Sequence, residues 1–131
     1  MRREREEIEK PVQRRALLEL LVPCIPLKLI EGSETGWPDG IFLIPGGRPF
    51  FIEFKWPGEE PEPKQDYMHT LLRNLGYDIE VHDNVEEALA AIRTRAEAGR
   101  RKMGAPSIHE ARREVLTGAR VRRPVPRSRA S

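Results

Sequence analysis

Residues 44–55 read IPGGRPFFIEFK, and the fold turns on how this stretch is parsed. Pro45-Gly46-Gly47 is a strong turn signal between two β-rich runs, PDGIFLI at 38–44 and RPFFIEFK at 48–55, so the segment predicts a β-hairpin. Side chains alternate along a strand. Phe50, Ile52 and Phe54 therefore face one way and can fill a core, while Phe51, Glu53 and Lys55 face the other. That makes Glu53 and Lys55 neighbours in an otherwise apolar run, where each ion costs several kcal/mol to desolvate. A surface salt bridge on an edge strand is the plain alternative. Asp39, however, opens the preceding strand with the parity of Ile41 and Leu43, and pairing through the turn sets it across from Glu53. Two carboxylates so placed repel unless a divalent cation lies between them. Asp39, Glu53 and the carbonyl of Phe54 offer the partial oxygen shell that Mg²⁺ takes, and Lys55 could orient a water or offset developing phosphate charge.

Toward the N-terminus, Pro26–Glu31 (PLKLIE) alternates weakly and predicts a first strand. Glu4–Val22 predicts a helix with Ile8, Val12, Leu18 and Leu21 on an irregular apolar face. Pro11 should either start that helix or kink it, and Pro23 and Pro26 end it. Beyond the hairpin comes WPGEEPEP, a loop rich in proline and acid. Residues 64–76 predict a helix, with Met68, Leu71, Leu72 and Leu75 at i, i+3, i+4 and i+7 and Gly76 as its C-cap. Tyr77–His82 alternates as a strand, and Asn84 caps a last helix, VEEALAAI. The order is α-β-β-β-α-β-α, an α/β domain over residues 1–95 followed by a basic extension over 96–131. In that extension Ser107-Ile108-His109-Glu110 forms a capping box that predicts a short helix at 107–117. GARVRRPVPRSRAS then has the composition of a disordered tail.

A chain of 131 residues is one domain by length, and 38% hydrophobic with 34% charged residues describes a soluble globular protein. No apolar run approaches the roughly 20 residues of a membrane span. The opening MRREREEIEK has no apolar region behind it, so no secretory signal is read there. Cys24 is the only cysteine, which excludes an internal disulfide and a cysteine-built zinc site and suits a reducing cytoplasm; its own place is a small core or rim residue. Charge is unevenly divided. Residues 1–92 carry 11 Lys and Arg against 18 Asp and Glu, and residues 93–131 carry 12 against 3. An acidic body with a basic tail suits a metal site beside a nucleic-acid tether, and equally a merely solvated tail.

Pro38-Asp39, thirteen residues, then Glu53-Phe54-Lys55 resembles the PD-(D/E)xK nuclease signature. With GWPD at 36–39, the full IPGGRPFFIEFK, PEPKQ at 61–65 ahead of a helix, and a strand and helix after Gly76, the chain resembles the VRR-NUC branch in its small stand-alone phage and bacterial form. The resemblance spans residues 4–92. It implies a restriction-endonuclease-like core, a central mixed sheet flanked by helices, and Mg²⁺- or Mn²⁺-dependent hydrolysis of DNA, branched or duplex, by a homodimer. Asp39 and Glu53 would be metal ligands, Lys55 the catalytic lysine and Gln65 the glutamine of the following helix, three residues before Met68 and so facing inward. The resemblance also calls for a glutamate on the first helix; Glu4, Glu6, Glu7 and Glu9 compete, and Glu7 is taken. Lys28, Arg100, Arg101, Lys102, Arg122 and Arg123 are candidate phosphate contacts. His69, His82 and His109 lack metal-ligand spacing and read as ordinary surface or rim residues, and Trp37 and Trp56 flank the motif as stacking or packing residues. The alternatives are a non-catalytic nucleic-acid-binding accessory that keeps the fold, and a regulatory protein acting through its tail.

Overall fold

The computed structural model describes residues 2–27, 36–60 and 62–118. Helix α1 (Arg2–Leu20) leads to strands β1 (Cys24–Pro26), β2 (Gly40–Ile44) and β3 (Arg48–Phe54). Helix α2 (Pro63–Asn74), strand β4 (Asp78–His82) and helices α3 (Val85–Met103) and α4 (Ile108–Thr117) follow. The expected α-β-β-β-α-β-α order is present, with α4 added. The strands form one mixed sheet in the order β1-β2-β3-β4, antiparallel from β1 to β3 and parallel between β3 and β4. A parallel pair needs a crossover, and α2 supplies it.

The hairpin register pairs Gly40 with Ile52 and Phe42 with Phe50. Period-two alternation then separates the two faces of the sheet. Phe42, Ile44, Phe50, Ile52 and Phe54 point to one side, where Val12, Ala16 and Leu20 of α1 and Leu89, Ile92 and Ala96 of α3 close over them as the main core. Burying each large apolar side chain there contributes about 1.5–3 kcal/mol. The opposite face is thinner: Phe51, Ile79 and Leu27 pack under Leu72 of α2, with Ile41 and Met68 at the margin. Among the described residues no helix is long and apolar enough to cross a membrane.

Three sequence expectations meet the structure differently. Pro11 lies inside α1, so of the two expectations for it the helix start does not hold. Ile8 and Glu9 before it and Val12 after it are buried, so packing on both sides offsets the roughly 3 kcal/mol that an interior proline costs. The expected domain end near residue 95 falls in the middle of α3, which runs to Met103. Ala96 is fully buried, and Gly99 lies so close to the hairpin turn that a Cβ there would come within 2.0 Å of the Pro45 carbonyl oxygen. Ile108 of α4 also enters the main core, so the first part of the basic extension belongs to the domain. β1 begins at Cys24, two residues before the strand expected over 26–31, and residues 28–31, with Lys28, lie outside the described residues. The short helix expected at 107–117 is α4, whose N-cap Ser107 accepts from the Glu110 amide.

Candidate active site

Parallel pairing brings the C-terminal ends of β3 and β4 together, and the antiparallel hairpin brings the start of β2 beside them. At that end of the sheet Asp39, Glu53 and Lys55 converge, and all are buried, at 5%, 1% and 5% exposure. Asp39 sits just before Gly40, whose partner is Ile52, so it reaches the backbone on the far side of Glu53: the Phe54 amide donates to its Oδ2 at 2.7 Å. The loop carrying Asp39 is pinned against the start of α2. Gly36, at φ 75°, approaches so closely that a Cβ would fall 2.2 Å from the Lys64 carbonyl oxygen. Only glycine tolerates both that backbone and that contact.

From α2, Gln65 spans the two charges of β3. Its Oε1 accepts from Lys55 Nζ at 2.7 Å, and its Nε2 donates to Glu53 Oε2 at 3.1 Å. Gln65 also completes the capping box at the start of α2, its Oε1 accepting from the Glu62 amide at 3.3 Å. One side chain therefore sets the helix start and fixes the lysine relative to the glutamate.

Glu53 Oε1 is buried and, among the described residues, accepts from no donor. Burial first, and then the Asp39 charge, push its carboxyl up to about 8, against the opposing pull of Lys55 and Arg5. Adjacent buried carboxylates with an unpartnered oxygen are a donor set suited to a hard divalent cation. Among the described residues no group of three or more His, Cys, Asp or Glu side chains forms a metal cage. Asp39 and Glu53 thus fit a cation that keeps much of its shell as water or substrate oxygen, as Mg²⁺ does.

Helix α1 adds charged groups along one stripe. Glu9 is buried and accepts from Gln13 Nε2 at 3.1 Å; it follows Arg5 by one turn and precedes Val12, Ala16 and Leu20 on the core side. The charges of Glu9 and Asp39 both act on Cys24, a half-buried thiol that burial, first of all, pushes up to about 12. Cys24 packs against the main core, as a small core or rim residue should. Arg5 feels Glu53 and Asp39 and holds Glu59 through Nε at 2.9 and 3.1 Å, closing the 56–59 turn over this end of the sheet. That bond keeps the Glu59 carboxyl well below the ordinary carboxylate range.

The chain is 37% identical over 60 residues to "Putative nuclease p44" of Acyrthosiphon pisum secondary endosymbiont phage 1, a match over 46% of this chain and 64% of that protein. The chain thus matches less than two thirds of the phage protein's length. A solved structure described as "VRR_NUC domain" superposes with a TM-score of 0.59 at 23% identity, over 68% of this chain and 94% of the other. The fold is that of a VRR_NUC domain. No protein-family model matches the sequence.

On the VRR_NUC fold, Asp39, Glu53, Lys55 and Gln65 come together as one network. The other expected site residues fall elsewhere. Glu7 is exposed beside Glu6, Lys10 and Arg14, and the buried glutamate of α1 is Glu9. An acidic residue three, seven and eleven positions before Val12's own apolar stripe members was the available signal, because that spacing places it on the face turned to the sheet. Arg100, Arg101 and Lys102 occupy the last turn of α3. That helix begins just after β4, at the site's end of the sheet, so its rise carries them roughly 23–26 Å toward the other end. Arg100 is half-buried and donates to the Pro106 carbonyl at 3.2 Å, tying the α3–α4 link, while Arg101 and Lys102 are exposed. Arg122 and Arg123 lie outside the described residues. His109 is exposed, and His82 is half-buried against Glu80 at 2.9 Å. His69 is buried, contrary to the surface or rim position expected for it. Trp56 packs against the main core and Trp37 is exposed.

Proposed function

We propose that the chain is a nuclease that hydrolyses phosphodiester bonds in DNA with Mg²⁺ or Mn²⁺. The observation that carries this reading is the buried Asp39–Glu53–Lys55–Gln65 network, with Glu53 Oε1 left unpartnered beside a second carboxylate. The phage relative's printed name supports the reaction class. Asp39 and Glu53 are the residues to hold the cation, with Glu9, the buried carboxylate of α1, as the further candidate in place of Glu7. A cation held there would supply Lewis-acid polarisation of a phosphate oxygen and a bound water acidic enough to attack near neutral pH.

The chain's own groups do the rest. The Phe54 amide fixes one oxygen of Asp39, and Gln65 fixes Lys55 against Glu53. Lys55 is thereby preorganised to stabilise charge developing on the phosphoryl oxygens without reorganising at the moment of reaction. Burial of the cluster keeps bulk water out and strengthens each of these interactions.

The same reading includes pairing with a second copy. Tyr67 and Leu71 of α2 and its C-cap Leu75 form an exposed stripe at i, i+4 and i+8, and Ile25 and Leu43 leave the thin face of the sheet open. Two sites in one twofold assembly would suit paired cuts in a branched substrate.

The test is cleavage of labelled duplex, nicked, flapped and four-way-junction DNA with Mg²⁺, Mn²⁺ or EDTA, beside Lys55→Ala. Metal-dependent cutting that drops by about 10²-fold or more in the variant is expected. Binding without cutting under either metal would replace this reading with that of a non-catalytic accessory.

A further inference from the structure

His69 is the buried ionisable group that the proposed reaction leaves unused. It lies on α2 one turn after Gln65, and with Gln65 and Leu72 it forms the helix's buried face. Its exposure is 4%, yet Nε2 has no hydrogen-bond partner among the described residues. A polar atom shut away from water without a partner is unfavourable enough that most such positions are apolar or hold an ordered water. Nothing in the packing of α2 calls for an imidazole there, since Leu72 and Met68 already anchor the helix on the thin face of the sheet.

The position relative to the network gives His69 a use. Gln65 draws the Lys55 ammonium against α2 at 2.7 Å, leaving that ammonium with further N–H groups to satisfy inside a site where it is itself only 5% exposed. The next inward-facing polar group along the helix is His69. The Lys55 and Asp39 charges both act on the ring, and burial, first of all, with Arg73 next, favours its neutral form. A neutral ring can accept from a water or donate to one, according to its tautomer, whereas a second cation beside Lys55 would repel it.

We infer that His69 is a positioning residue: its Nε2 holds an ordered water that bridges to the Lys55 ammonium and, with Gln65, fixes the lysine for reaction. This rests on the nuclease reading of the same site. It adds a second helical anchor for the lysine, one turn from the first.

His69→Leu separates this role from plain packing. Leucine removes the buried nitrogen together with its water, and its apolar burial offsets the lost bridge, so the variant should melt within about 2 °C of the wild type. Its kcat should nevertheless fall by about 10-fold or more with KM little changed, because only the lysine's placement is lost. His69→Gln, which keeps a polar tip of similar reach, should recover most of the rate. His69→Met serves in place of leucine if that variant does not fold. Unchanged kcat in the apolar variant, or no recovery by glutamine, overturns the inference. If the wild type cuts no substrate, the nuclease reading falls, and a thermal double-mutant cycle of His69→Leu with Lys55→Met in EDTA decides about His69 alone. A combined Tm change departing from the sum of the single changes by about 2 °C or more sustains the bridge, and additivity refutes it.

Discussion

Replacing Glu53 by glutamine should make the metal-free protein more stable while abolishing its activity. Burial and the neighbouring Asp39 push the Glu53 carboxyl up to about 8, from an ordinary 4.5. At about 1.4 kcal/mol per pH step, holding that group ionised in the folded chain costs at most about 5 kcal/mol. Side-chain movement and water entry relieve part of this, and an expected gain for Glu53→Gln is roughly 2 kcal/mol, or about 8 °C in Tm for a domain of this size. The amide suits the surroundings. Its oxygen can accept from Gln65 Nε2 as Glu53 Oε2 does, and its N–H can donate toward Asp39 where two negative charges had met. The folded-state value lies above the unfolded one, so the wild type has this group's full contribution below about pH 4.5 and loses it as pH rises through about 8. Urea or thermal unfolding in EDTA at several pH values between these limits is the assay. The two proteins should match at the acid end, separate as pH rises, and stay apart above about pH 8. A Glu53→Gln protein that melts at or below the wild type at about pH 9 would refute the electrostatic argument.

The same pair predicts that Mg²⁺ or Mn²⁺ raises the wild-type Tm, increasingly so as pH rises toward about 8, and leaves Asp39→Asn unmoved; calorimetry with each metal checks this. Gly99→Ala should lose about 2–3 kcal/mol in chemical denaturation, because its methyl group would collide with the Pro45 carbonyl and push α3 off the hairpin turn. Glu59→Gln should loosen the 56–59 turn by weakening its bonds to Arg5, with a stability loss of about 1 kcal/mol and faster amide exchange at Trp56, whose N–H Glu59 accepts at 2.8 Å.

The hairpin was legible because its determinants are local. A Pro-Gly-Gly turn sets the register, and strict alternation through RPFFIEFK puts the aromatic residues and the charged pair on opposite faces. The same locality made Asn84 readable as an N-cap, since its side chain accepts from the Glu87 amide three residues on. Asp39 and Glu53 could be set side by side from the turn alone, and Gln65 from its spacing to Met68.

The remaining placements depend on which face of each helix meets the sheet, and no local rule supplies that. Four glutamates crowd the start of α1, and the spacing of Glu9 to Val12, Ala16 and Leu20 singles it out only once packing shows that these residues, and not the exposed Leu18, form the buried stripe. His69 reads as a surface histidine in sequence because its burial depends on which face α2 turns inward, the one it shares with Gln65 and Leu72. The length of α3 was hidden in the same way: beyond residue 95 its sequence is basic and weakly patterned, and the helix continues because Ala96 and Gly99 find the core and the hairpin turn. The sequence by itself determined the hairpin and the chemistry it carries, since both follow from backbone geometry over a dozen residues. Tertiary packing alone decided which helical side chains reach that chemistry, because burial is a property of surfaces that meet only once the chain has folded.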